Sequence, residues 1–198
     1  MNKWLNEIEL EGDLVKLIPL RKKHKADLLL ASADGELWKL WYTSVPSEKT
    51  IDTYIDFVLG EWERDRALPF VVVEKKTNKV IGSTRFCNAT PEHRRMELGY
   101  TWYAKTYQKT GVNTECKCLL LTHAFETLNC IAVEFRTHWH NLASRNAIAR
   151  LGAKQDGVLR NHQIDAEGAI RDTVVFSILR DEWQVVKKSL LFKMNYYQ

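Results

Sequence analysis

The sequence predicts an α+β fold, with one mixed, largely antiparallel sheet flanked by helices. Three observations lead there. Met96, Leu98, Tyr100 and Trp102 alternate with Glu97, Gly99, Thr101 and Tyr103, and Ile131, Val133, Phe135, Thr137 and Trp139 alternate with their neighbours in the same way, the period of strands. Cys118, Leu121, Phe125 and Leu128 recur at spacings of three, four and three, which marks one buried helical face. The segments run strand, two helices, three strands, helix, strand, helix, two strands, an order that suits a single sheet.

Taken in order, Leu14 to Leu20 reads as a first strand ended by Pro19. Ala26, Leu29, Leu30 and Ala33 follow at helical spacing, and then comes the aromatic segment Leu37 to Pro46. Ser47 is expected to cap a helix whose apolar face is Ile51, Tyr54, Ile55, Val58 and Trp62. Phe70 to Glu74 and Val80 to Asn88 read as a hairpin turning at Asn78, and a polar connection from Pro91 to Arg95 leads to the strand that ends at Tyr103. The loop Gln108 to Val112 runs into Asn113, expected as the N-cap of the central helix. Ile131 to Trp139 gives a strand and Asn141 to Leu151 a helix, with Gly152 just past its end. Ala153 to Asn161 and Ile170 to Leu179 close the sheet, and Asp181 is expected to cap a last helix carrying Trp183, Val186 and Leu190.

A chain of 198 residues is most simply one domain, large enough to bury a core without metal or disulfide. A net charge of +4 suits a polyanionic small ligand without requiring one. Cys87, Cys116, Cys118 and Cys130 show neither disulfide nor zinc spacing, which predicts reduced thiols and a cytoplasmic location. The first residues lack the apolar core of a signal peptide, and no apolar run approaches the ~20 residues of a membrane span, so no membrane partner is expected. Arg21 to Lys25 is a basic run at a helix start without interleaved aromatics; it reads as a solvated face, and no nucleic-acid partner is expected. His138 and His140 share a strand face but have no third ligand at useful spacing, so no metal is expected.

Strand, glycine-containing loop and helix, in that order, gather backbone N–H groups at a helix N-terminus, a site for phosphate. Gln108-Lys109-Thr110-Gly111-Val112-Asn113 resembles the acetyl-CoA signature of the GNAT acetyltransferases, which reads Gln or Arg, two residues, Gly, one residue, then Gly or Ala. The match fails only at Asn113. A second match, Asn141 to Gly152 (NLASRNAIARLG), follows at the right distance, and together they resemble the RimJ and RimL branch. The resemblance spans roughly Leu10 to Trp183. It implies the GNAT fold over one domain, 1–198, with a core of about 10–183 and a helical tail at 184–198.

The resemblance further implies acetyl-CoA as co-substrate, held by Gln108, Lys109, Thr110, Gly111, Val112, Asn113 and Thr114, with the pantetheine arm lying along Trp102 and Tyr103 and touching Asn141. Many of these enzymes protonate the leaving thiolate with a tyrosine four residues before the motif glycine, where this chain has Ile148. RimL-like members carry a serine three residues after the asparagine, which implies Ser144 as the proton donor. Asn141 and Ser144 also suit a plain helix cap. The carboxylate that RimL-like enzymes place after this strand is absent at Ala104, Lys105 and Thr106, and Glu97 on the strand is the alternative base. Trp38, Trp41 and Tyr42 lie where the family walls its acceptor site, or belong to the core. The expected function is transfer of acetyl to a primary amine, a protein N-terminus or a small amine, by direct attack in a ternary complex. The alternative is a catalytically inactive acyl-CoA-binding module, suggested by Asn113 and the missing carboxylate. Whether two copies pair as a homodimer is left open.

Overall fold

The computed structural model describes residues 3–165 and 167–196; the ends of the expected 1–198 domain and the last two residues of its tail lie outside them. Strands β1 (Leu10–Glu11), β2 (Val15–Pro19), β3 (Leu68–Glu74), β4 (Lys79–Thr90), β5 (Arg95–Tyr103), β6 (Ala132–His138), β7 (Lys154–Ile164) and β8 (Ile170–Leu179) form one sheet. Its order is β1-β2-β3-β4-β5-β6-β8-β7. Every neighbouring pair is antiparallel except β5 and β6. The helices are α1 (Lys25–Ala33), α2 (Ile51–Glu63), α3 (Val112–Thr122), α4 (Leu142–Leu151) and α5 (Arg180–Tyr196).

Two cores cover the two faces of the sheet. On one, Leu17, Phe70, Phe86, Met96, Leu98, Val133 and Phe135 pack against Leu120 and Leu121 of α3 and Trp183 of α5. On the other, Val71, Val73 and Trp102 pack against Leu28 of α1 and Ile51, Ile55 and Val58 of α2. Side chains of this size contribute about 1.5–3 kcal/mol each when fully buried, so both helical layers are held mainly by apolar contact.

Three expected caps fall elsewhere. Gly111, not Asn113, precedes α3, because the Thr110 hydroxyl already accepts the Val112 N–H at 3.3 Å and the Gly111 carbonyl already accepts from Glu115. Asn113 lies inside the first turn and accepts the Tyr103 hydroxyl at 3.2 Å. Thr50, not Ser47, precedes α2; the Ser47 carbonyl instead accepts the N–H groups of Thr50 and Ile51 and closes a turn ahead of the helix. At α5 the Glu182 carboxylate, rather than Asp181, accepts the Leu179 N–H at 3.0 Å.

The central helix also differs from a one-faced amphipath. Val112, Thr114, Glu115, Cys116, Lys117, Cys118, Leu120 and Leu121 are all buried, because α3 lies between the sheet, α5 and the β1–β2 turn. It ends in one π-helical turn, His123–Thr127. The basic run at Arg21 to Lys25 is spent on ion pairs: Arg21 with Glu7, Lys22 with Asp56 and Lys25 with Asp52, while His24 is buried. All four cysteines are free and buried. No helix among the described residues is long and apolar enough to cross a membrane.

Candidate active site

Strands β5 and β6 pair over only three positions, Arg95↔Ala132, Met96↔Val133 and Glu97↔Glu134. Beyond them β5 keeps β4 on its far side and β6 keeps β8, so among the described residues no strand fills the gap between the two. Because the pair is parallel, both carboxyl ends lie at the mouth of this wedge. Helix α3 follows β5 and helix α4 follows β6, so two helix N-termini flank one crevice, where open sheets bind ligands. Arg150 of α4 donates to the Thr114 hydroxyl of α3 at 3.0 Å and ties the two helices together.

The wall contributed by β5 bends. Tyr100 has φ +51°, and the β4–β5 register shifts between Ser83 and Arg85, which marks a β-bulge there. The Ala104 N–H bonds to Ile81 on β4, so the preceding Tyr103 carbonyl points into the wedge, where the Gln108 side-chain amide donates to it at 3.0 Å. Gln108 thereby fastens the loop to the strand end. Lys109 takes φ +62°, the Thr110 hydroxyl donates to the Tyr107 carbonyl at 2.7 Å, and Gly111 and Val112 lead into the first turn of α3. The Tyr103 side chain is buried and turned to Asn113, while the Trp102 side chain is buried on the opposite face. Only their backbones border the gap.

Across the wedge, Asn141 caps α4: its side-chain oxygen accepts the Ser144 N–H at 3.0 Å. Ser144 is half-buried, and among the described residues no hydrogen bond takes up its hydroxyl. At the floor, Glu97 is 7% exposed, which a flank of Arg94 and Arg95 does not suggest. Burial pushes its carboxyl above the ordinary value, against the pull of the Asn88 amide at 2.7 Å and the Arg136 guanidinium at 3.7 Å.

Leu37 of the aromatic segment belongs to the core, but its Trp38 and Trp41 rings do not. Trp38 is 37% and Trp41 62% exposed, and Tyr42 packs on Trp41 at 5.5 Å between ring centroids. Trp41 reaches β6, with centroids 4.9 Å from His138 and 5.7 Å from His140. Those two histidines meet each other: the His140 backbone N–H donates to His138 Nδ1 at 3.0 Å, and burial lowers the His138 pKa. The loop between the first two helices thus lies over the wedge end that carries Asn141. Two surface cavities, of about 370 and 620 Å³, lie elsewhere, beside the first strands and behind α3, and share no residue with this arrangement.

Arg85 and Lys117 are two further polar groups at the bulge that sequence reading passed over. Each is 4% exposed, Arg85 from β4 on the α2 side and Lys117 from α3 on the other. The signal for both was a charged residue inside a run destined for burial.

Residues 15–154 match the acetyltransferase (GNAT) domain. YdaF of Bacillus subtilis (strain 168), which carries the name of a ribosomal N-acetyltransferase, is 27% identical over 147 residues, 73% of this chain and 79% of its own length. A crystal structure from T. thermophilus, of a protein named as an acetyltransferase, superposes with a TM-score of 0.83 at 33% identity, covering 96% of this chain and 98% of that one. Mycobacterium smegmatis RimJ, in complex with CoA-disulfide, shares the fold at a TM-score of 0.76 and 22% identity, covering 93% of this chain and 92% of its own.

Proposed function

This chain belongs to the GNAT acetyltransferase family and is an N-acetyltransferase, and from that premise we propose that it moves the acetyl group of acetyl-CoA to the primary amine of a protein N-terminus. A small amine would meet the same chemistry; the name carried by YdaF favours the protein acceptor. One observation carries the reading: a wedge with an unpaired β5 edge has two helix N-termini at its mouth. First-turn N–H groups of α3 and the Lys109 ammonium suit pyrophosphate, and the free edge of β5 up to Tyr103 suits an extended amide-bearing arm. Asn113 does not obstruct this, since its side chain turns inward to Tyr103.

In this reading Glu97 takes the proton of the attacking amine, directly or through water, as the amine nitrogen bonds to the acetyl carbon. The C–S bond then breaks, and Ser144 passes its hydroxyl proton to the thiolate as it takes one from solvent, while Glu97 returns the amine's proton to water. A protein N-terminus has a pKa of ~8, so much of it is already neutral at physiological pH and asks little of the base. Trp38, Trp41 and Tyr42 form the wall against the acceptor. A single domain over 1–198 and a cytoplasmic location go with this reading; four free buried thiols suit a reducing compartment.

Calorimetric titration with acetyl-CoA and with CoA tests the cofactor site. Binding of either, followed by thiol release with N-terminal peptides, is expected, and turnover of any amine excludes a binding-only module. No binding at millimolar concentration overturns the reading. Ser144→Ala should lower kcat by about 10²-fold or more, the scale of general-acid loss, while sparing cofactor affinity. An unchanged kcat removes the acid role.

A further inference from the structure

Arg85 stands in the middle of β4 with 4% of its surface exposed, and neither Nε nor Nη1 has a hydrogen-bond partner among the described residues. Its guanidinium carbon lies 3.4 Å from the centroid of the Tyr100 ring and 5.8 Å from that of Phe57. Stacking uses the faces of a guanidinium. The N–H bonds lie in its plane, so the rings leave those donors unspent. Glu97 shares this face of the sheet, since Cys87↔Glu97 and Arg85↔Gly99 are cross-strand partners, and the two charges attract; Asn88 and Arg136 hold its Oε2, and among the described residues no hydrogen bond or ion pair joins its carboxylate to Arg85. Trp102, opposite Ser83 on the same face, adds a third buried donor without a partner among the described residues, its Nε1. Buried donors left unpaired are rare in folded proteins, because water has been removed with nothing in exchange. Thr43 Oγ1, Trp62 Nε1 and Arg171 Nε share this lack elsewhere, but Arg85 and Trp102 flank the bulge on one face of the sheet, and the charged one of the two calls for an anion.

We propose that Arg85 binds a carboxylate of the acceptor, so that the acceptor is an amine with a carboxylate about one residue away, as in a peptide whose second residue is acidic. This rests on the acetyl-transfer reading above and deepens it. With the amine at Glu97, Arg85 stands on the neighbouring strand, diagonally across the β4–β5 ladder, a backbone separation of ~7–8 Å. That spacing fits an α-amine and the side-chain carboxylate of the next residue better than the two ends of one amino acid. Phe57 and Tyr100 are 57% and 46% exposed, and the Tyr100 ring covers Arg85. Rotation of that exposed ring opens the path from solvent.

The test compares thiol release from acetyl-CoA with two peptides identical except for Asp or Asn at the second position, and with free aspartate and asparagine. A kcat/KM at least tenfold higher for the Asp peptide is expected, with the ratio falling below threefold in Arg85→Met and partly retained in Arg85→Lys. A preference shown by free aspartate alone, with none between the two peptides, contradicts the one-residue spacing and overturns the proposal. Equal kcat/KM for each acidic and neutral pair, or a ratio undiminished in Arg85→Met, overturns the proposal. Should no amine be acetylated, the acetyl-transfer reading falls by itself. Calorimetry of the wild-type protein with CoA and the same compounds then decides: an acidic member binding at least tenfold tighter supports the Arg85 site, and equal or absent binding removes it. If Arg85→Met does not fold, the wild-type ratio and the Arg85→Lys ratio carry the same decision.

Discussion

Glu97 and Lys117 are ionisable groups held below the surface, and each makes a prediction through its proton. The Glu97 carboxyl titrates above its ordinary value of 4.5, chiefly because it is buried. If it is the base, kcat/KM rises with pH along an acid limb set by that raised pKa, and Glu97→Gln abolishes the limb and lowers kcat by about 10²-fold or more. An unaltered pH profile in the variant would assign the carboxylate to structure alone. Stability moves the other way. Between 4.5 and the raised value the native state binds more protons than the unfolded one, so stability falls as pH rises through that window, and Glu97→Gln removes this slope. Lys117 donates to the Thr101 hydroxyl at 2.5 Å and has no carboxylate partner among the described residues; burial lowers its pKa from 10.5 to about 8. Here the unfolded state binds more protons between those values, so stability rises with pH across them. Below pH 8 the charged form costs the fold about 3 kcal/mol at 1.36 kcal/mol per unit. The Thr84 and Thr101 hydroxyls bond each other at 2.7 Å and do not need the ammonium. Lys117→Met is therefore expected to stabilise by about 1–3 kcal/mol at pH 7, the range seen when buried charges give way to apolar groups, and to gain much less at pH 10. Urea unfolding at the two pH values measures it, and a variant no more stable at pH 7 would refute the burial cost.

At the scale of elements, α3 is held through Glu115. Its carboxylate accepts the N–H groups of Asp13, Leu14 and Val15 at 2.8, 2.9 and 2.9 Å and so fastens the central helix to the turn before β2. Gly12 makes room for it, since a Cβ there would lie 2.5 Å from the carboxylate carbon. Glu115→Ala leaves those donors without their acceptor and is expected to cost about 3 kcal/mol. Gly12→Ala should destabilise through the same contact. Denaturation of the two variants and their double mutant measures the coupling, and fully additive losses would show the sites to be independent. Strand and helix periods made most elements legible, including the hairpin at Asn78, which takes φ +55°. The caps were less so. Asn113, Ser47 and Asp181 are good capping residues by type, but each helix starts at another position: the Thr110 hydroxyl takes the Val112 N–H ahead of α3, the Ser47 carbonyl closes a turn ahead of α2, and Glu182 takes the Leu179 N–H at α5. Glu115 and Lys117 sat in plain view within an apolar run, yet their partners are distant in sequence and have no local signature.

At the scale of the molecule, the order of motifs carried the fold because the loop after β5 and the Asn at the start of α4 must meet at one crevice. What local sequence does not encode is where two strands part. The short ladder between β5 and β6, the reach of Trp41 to His138 and the gathering of Arg85, Tyr100 and Trp102 all arise from long-range packing. The same wedge makes a global prediction. With only three paired positions between them, β5 and β6 hold the two halves of the sheet together by a short seam, backed by the cores on its faces. A ligand that lines the free β5 edge and bridges α3 to α4 adds contacts across that seam in the native state alone. At a hundredfold excess over Kd this contributes about 2.7 kcal/mol, which for a chain of this size raises Tm by about 5–10 °C. CoA should produce that shift and adenosine much less, because adenosine has neither the pyrophosphate for the helix N-termini nor the arm for the strand edge. A thermal melt with each ligand makes the comparison. Equal shifts would place the binding energy in the base rather than in the wedge, and no shift with CoA would mean that the seam is not where the cofactor sits.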